Sequence, residues 1–168
     1  LPKNKVVGMA GILDSSRFIY FLSEKLKVNV NKIKSFVLGG HGDTMVAMLN
    51  HTKVNGELIS NLVKTGKLNQ EDLNKIVERT KKGGAEIVKY LEKGSAFYAP
   101  AAAGVEMAES YIKDLKKELP CAAYLNGEYG VKDIYAGVPV IIGKNGVEKV
   151  IEIKLSNEEK EQFDKSIK

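Results

Sequence analysis

Only two histidines occur in 168 residues, and one of them, His41, lies in Gly39-Gly40-His41-Gly42-Asp43, directly after the apolar run Ser35-Phe36-Val37-Leu38. A strand that ends in glycines lets backbone come close to a small ligand. An imidazole placed there can move a proton near neutral pH. Upstream, Leu13-Asp14-Ser15-Ser16-Arg17-Phe18 supplies an acid and an arginine. A carboxylate such as Asp14 can hold the imidazole, and a guanidinium such as Arg17 can grip an anion with two parallel hydrogen bonds. The three residue types together point to proton transfer on a small carboxylic acid.

Plainer readings compete at each position. Residues three apart share a helix face, so Asp14 and Arg17 equally fit a surface ion pair that contributes little. Asp43 rivals Asp14 as the acid that orients His41, yet an aspartate at that point in a turn can instead bond local backbone amides. His51 has neither glycines nor a nearby acid and reads as a surface or sheet-edge residue. Three glycines within four positions around His41 cost chain entropy, which argues that the loop has a purpose.

The elements that must position these groups follow from periodicity. Val6-Val7-Gly8 reads as a short strand end. Apolar residues from Ile12 to Leu26 recur at helical spacing and predict a helix over 12–26. Strands are expected over 33–38 and 45–49, with Asn55-Gly56 as a hairpin turn and a short helix over 58–64. A long helical pattern runs from Leu73 to Leu91, interrupted by Gly83-Gly84, for which close packing against another element is the expected reason. Pro100 suits the first turn of a further helix that reaches Leu115. Strand signals follow over 121–125, 138–142 and 147–153, with Asn126-Gly127 and Asn145-Gly146 at turns. Ser156-Asn157-Glu158-Glu159 is a capping box that opens a last helix. The expected class is α+β: one domain over 1–168, a twisted antiparallel sheet packed with helices.

Composition narrows the function. Hydrophobic content of 43% and charged content of 28% fit a globular protein with a real core. No apolar run approaches the roughly 20 residues that cross a bilayer, and no apolar segment follows Leu1–Lys5 to make a secretory signal. The single Cys121 forbids an internal disulfide and fits a reducing, cytoplasmic setting. The net charge of +5 comes from lysines scattered among acids, with no basic run interleaved with aromatics, so nucleic-acid binding is not expected. Of 26 basic residues only Arg17 and Arg79 are arginine. In so lysine-rich a chain, an arginine beside Asp14 hints at a need for a planar two-pronged donor. Two histidines ten residues apart do not match zinc spacing, so no metal is expected. No G-x-S-x-G elbow, phosphate loop or G-x-G-x-x-G fingerprint occurs.

Val7-Gly8-Met9-Ala10-Gly11-Ile12-Leu13-Asp14-Ser15-Ser16-Arg17-Phe18 and Gly39-Gly40-His41-Gly42-Asp43-Thr44-Met45 resemble the NAD-dependent malate dehydrogenases of the lactate-dehydrogenase-like bacterial type. So do Gly94-Ser95-Ala96-Phe97-Tyr98-Ala99-Pro100-Ala101, Tyr135-Ala136-Gly137-Val138-Pro139-Val140 and Gly146-Val147-Glu148, in the family's order. The resemblance covers the C-terminal half of the family's length and implies its C-terminal fold without the Rossmann domain. It implies that His41 is the acid/base, that Asp14 accepts a hydrogen bond from the other imidazole nitrogen, and that Arg17 binds the substrate carboxylate. It places Met9 and Leu13 near the nicotinamide ring and Ser95 or Ala96 along the substrate wall. The cofactor implied is NAD, bound mainly by the absent half. The substrate is a small dicarboxylate and the assembly a homodimer or homotetramer, with the helix over 12–26 as a contact. Lactate enzymes usually carry a glutamate before the histidine, where this chain has Gly40. A lactate or other 2-hydroxy-acid dehydrogenase is the alternative enzyme. A non-catalytic assembly domain is the alternative class, and it requires that Asp14, Arg17 and His41 do not converge.

Overall fold

One helix joins two apolar cores. In the computed structural model, which describes residues 1–168, helix α1 (Ala10–Leu26) sends Ile12 and Leu13 into one core and Phe18 and Leu22 into the other. Between these pairs sits Asp14, wholly buried at the seam. The 3.6-residue repeat of the sequence therefore describes α1 correctly, but its apolar stripe serves two clusters in turn.

The larger core lies on a five-stranded antiparallel sheet. Its strands are β2 (Val37–Gly39), β3 (Met45–Ala47), β6 (Lys117–Asn126), β7 (Lys132–Gly143) and β8 (Gly146–Val150). The order is β3-β2-β7-β6, with β8 also paired to β7. Strand β6 alternates strictly, burying Leu119, Cys121, Ala123 and Leu125. That is the period-two signature of a sheet with one face on the core. Strand β7 is buried almost continuously from Ala136 because it is central and pairs on both edges.

The second core lies under a small sheet of β1 (Ile33–Lys34), β4 (Lys53–Val54) and β5 (Glu57–Leu58). Helices α2 (Ile59–Lys64) and α3 (Gln70–Lys81) close it with Ile59, Leu62, Leu73 and Ile76. The hairpin at Asn55-Gly56 forms as expected, both residues at positive φ. The single strand expected over 33–38 is instead two. Ser35 and Phe36 carry the chain from the small sheet to the large one, and the Ser35 hydroxyl bonds that of Thr52 at 2.7 Å. Val6-Val7-Gly8 is reduced to one bridge, Gly8 to Ala122.

The remaining helices are α4 (Gly83–Leu91), α5 (Tyr98–Ile112) and α6 (Asn157–Ser166). Only Lys82 separates α3 from α4, so the glycine pair marks a break in one helical course. Exposed apolar side chains concentrate on α4, on α5 and between them: Tyr90, Phe97, Tyr98, Val105 and Ile112. The expected contact helix, α1, is largely interior, and among its large apolar side chains Tyr20 alone is exposed. Burial pushes the Cys121 thiol up to about 12, aided by the charge of Glu106. No helix is long and apolar enough to cross a membrane.

The capping box of α6 forms in both directions. Burial by itself raises the Glu159 carboxyl, but hydrogen bonds from the Ser156 and Asn50 amides outweigh it and hold the group below its ordinary 4.5. A group depressed by folding contributes stability above its unfolded value and loses that contribution as pH falls through the folded one. Ser156→Ala should therefore cost about 1 kcal/mol at neutral pH. Denaturant titrations at decreasing pH should show that Glu159→Gln is less acid-sensitive than the parent, and equal sensitivity would contradict the assignment.

Candidate active site

Asp14 is the pivot. It lies one turn into α1, where the Gly39–Thr44 loop between β2 and β3 passes over the helix. Its Oδ2 receives the His41 Nδ1–H at 2.8 Å and the Gly42 amide at 3.3 Å. Its Oδ1 faces Arg17 Nη1 at 3.4 Å. A carboxylate only accepts, so the imidazole proton resides on Nδ1 and Nε2 is left without a partner in the chain. The His41 side chain is 54% exposed while that of Asp14 is 1% exposed. One end of the pair is thus fixed inside the protein and the other opens outward.

The Arg17 side chain is 10% exposed. At 3.4 Å its ion pair with Asp14 is loose, so much of the guanidinium's donor capacity is unused. Its Nε is buried and has no hydrogen-bond partner. An enclosed, unpaired donor costs about 1–3 kcal/mol and calls for an explanation. The stem of Arg17 lies on the first turn of α4. A Cβ at Gly83 would sit 2.9 Å from Arg17 Cδ and 3.3 Å from Nε, too close for both to stay in place. The glycine pair that interrupts the helical pattern is therefore packed against another element, as its sequence suggests, and that element is the arginine itself. Periodicity could mark the break but not the partner.

The surface-pair reading of Asp14 and Arg17 does not hold, because Asp14 is wholly buried and the Arg17 side chain is only 10% exposed. Asp43 is not the acid that meets His41. It stands in a short 3-10 turn, Gly42–Thr44, and borders a recess of about 760 Å³ between α3 and α6. That recess is not lined by Asp14, Arg17 or His41. Of the three only His41 opens outward; Asp14 and most of Arg17 lie beneath it. His51 is half-buried, and its Nε2 meets the Lys154 carbonyl at 3.0 Å. Met9 caps the start of α1 and is half-buried. Leu13 is 3% exposed and packs in the larger core, so it offers almost no surface to a bound ring. Ser95 and Ala96 lie between α4 and α5, the serine exposed and the alanine half-buried. No set of three or more metal-ligating side chains gathers in the chain.

A family model described as the lactate/malate dehydrogenase, alpha/beta C-terminal domain, matches residues 12–168. The chain belongs to that family. It is 65% identical over 167 residues to a malate dehydrogenase of Pelagibacter ubique (strain HTCC1062), covering 99% of this chain and 52% of that protein. The crystal structure of Cryptosporidium parvum malate dehydrogenase superposes with a TM-score of 0.95 at 48% identity, over 98% of this chain and 52% of that one. A lactate dehydrogenase of the same organism, complexed with lactic acid and β-nicotinamide adenine dinucleotide, gives 0.96 at 46% identity, over 99% and 52%. The chain spans about half the length of these relatives. The antiparallel sheets and helices are those of the family's C-terminal domain, and no Rossmann unit is present in these 168 residues.

A crystal structure of Gly83→Ala should show the Arg17 guanidinium displaced by a few tenths of an ångström. The fold itself should be no less stable, since alanine is the better helix former by up to about 1 kcal/mol. Gly84→Ala should leave Arg17 in place, because its Cβ would lie 3.8–3.9 Å from the guanidinium nitrogens. An unmoved arginine in the first variant would refute the steric argument.

Proposed function

We propose that this chain is the substrate-binding and acid/base half of an NAD-dependent malate dehydrogenase. What carries the reading is that one buried carboxylate engages both the imidazole of His41 and the guanidinium of Arg17. An assembly domain has no need of that convergence.

In this reading His41 Nε2 gives its proton to the carbonyl oxygen of oxaloacetate and takes it back from the hydroxyl of malate. Asp14 keeps the ring in one tautomer, with Nε2 turned outward toward the substrate. Arg17 holds a substrate carboxylate through its free donors, and Ser95 and Ala96 form part of the substrate wall. NAD, when bound, supplies or receives the hydride. The chain has no parallel βαβ unit and no glycine fingerprint to hold a pyrophosphate, so its own contribution to that cofactor is confined to the nicotinamide end. Met9 is the apolar group available there, whereas Leu13 is committed to the core. The setting is cytoplasmic and the assembly a homodimer or homotetramer. The apolar side chains exposed on and between α4 and α5 give it a surface better suited than α1.

The structural likeness to a lactate dehydrogenase keeps a second substrate in play. Comparing kcat/KM for oxaloacetate and pyruvate in the full-length enzyme decides between them, and preference for pyruvate would overturn malate. The isolated 168-residue chain should show no turnover in an NADH–oxaloacetate assay. In the full-length enzyme His41→Asn should lower kcat by about 10²–10⁴-fold. Arg17→Lys should lower kcat/KM by roughly ten- to a hundredfold, because a point charge cannot copy the fork. Full activity in either variant would remove that residue from its role.

A further inference from the structure

The loop that carries His41 is tied at both ends to one distant hydroxyl. Ser166 is the last residue of α6, and its Oγ accepts the Gly40 amide hydrogen at 2.7 Å. The same hydroxyl donates to the Thr44 carbonyl. Gly40 precedes the histidine by one residue and Thr44 follows it by three, so the two bonds bracket His41. The arrangement leaves no slack. Gly39 takes φ +80°, and a Cβ there would overlap Ser166 Oγ, while a Cβ at Gly40 would overlap Thr44 Oγ1. Gly39 is thus needed to admit the serine, and Gly40 to admit the Thr44 side chain. Helix α6 is itself anchored by Phe163, wholly buried beside Tyr129 with ring centroids 5.3 Å apart. No other side chain in the chain bonds the backbone of both loop ends.

We propose that Ser166 is a positioning residue for His41, a latch that sets where the imidazole stands relative to bound substrate. The proposal rests on the acid/base role of His41 given above. Asp14 fixes the ring's Nδ1 side and the Gly42 amide, and β2–β3 pairing joins Gly39 to Met45; Ser166 adds the side-chain tie between Gly40 and Thr44 across the histidine. Arg17 lies on α1 and α4 and does not touch the latch. Losing the latch should therefore affect the proton-transfer step and spare carboxylate binding.

The test uses the full-length enzyme. Ser166→Ala should lower kcat about tenfold with KM for oxaloacetate changed less than about twofold, since small misplacements of a catalytic group cost rate steeply. Ser166→Thr, which keeps the hydroxyl, should recover much of the loss. In a His41→Asn background, Ser166→Ala should cause no further loss, because residues that act as a unit are not additive. Amide exchange at Gly40 should accelerate in Ser166→Ala without a matching fall in Tm. Unchanged Gly40 exchange, or an equal loss in the His41→Asn background, would overturn the latch alone. A parent enzyme that reduces no 2-oxo acid, with Gly40 exchange still accelerated, would overturn the acid/base reading instead.

Discussion

A single carboxylate in a nearly dry position organises this chain. Asp14 is buried where α1 passes from one apolar core to the next, and each of its oxygens faces one basic group. Burying that charge is expensive unless it is paired and hydrogen-bonded. The partners reduce the expense without removing it: the bond to His41 is short, the contact with Arg17 is long, and the Arg17 Nε stays unsatisfied. Stability is given up at one place, and the same place has an unused donor fork and a free imidazole nitrogen on an open face.

The surrounding fold supports that local arrangement by rigid packing rather than by further charges. The two cores grip opposite ends of α1, so the helix cannot turn about its axis to relieve Asp14. The long central strand β7 pairs on both edges and fixes the end of β2, from which the histidine loop departs. Gly83 removes the atom that would push Arg17 away. These are steric constraints, and they act at any pH or salt concentration, unlike surface ion pairs.

Much of this is legible in the chain. Helix α1, the capping box at Ser156–Glu159, the hairpin at Asn55-Gly56 and the alternation of β6 all follow from local rules. Asp14, Arg17 and His41 stand out by residue type and spacing. The division of the 33–38 strand between two sheets was not legible, because an apolar run reports burial and not which sheet it joins. Nor was the choice of Asp14 over Asp43, since the nearer acid in sequence is directed by its turn toward a different recess. The burial of Leu13 in the core and the reach of Ser166 to the histidine loop were not legible, for one shared reason. Whether an apolar residue faces a core or a ligand, and whether a serine meets a loop 126 positions earlier, are facts of tertiary assembly.

That long separation also has a consequence for biosynthesis. A chain emerging from the ribosome begins to fold from its amino end. The glycine segment, Asp14 and the strands that pair beside it are all made before α6, and until α6 follows the segment lacks its tie to Ser166. The last tie on the histidine loop therefore forms late, and it comes with the helix that also delivers Phe163 to the larger core.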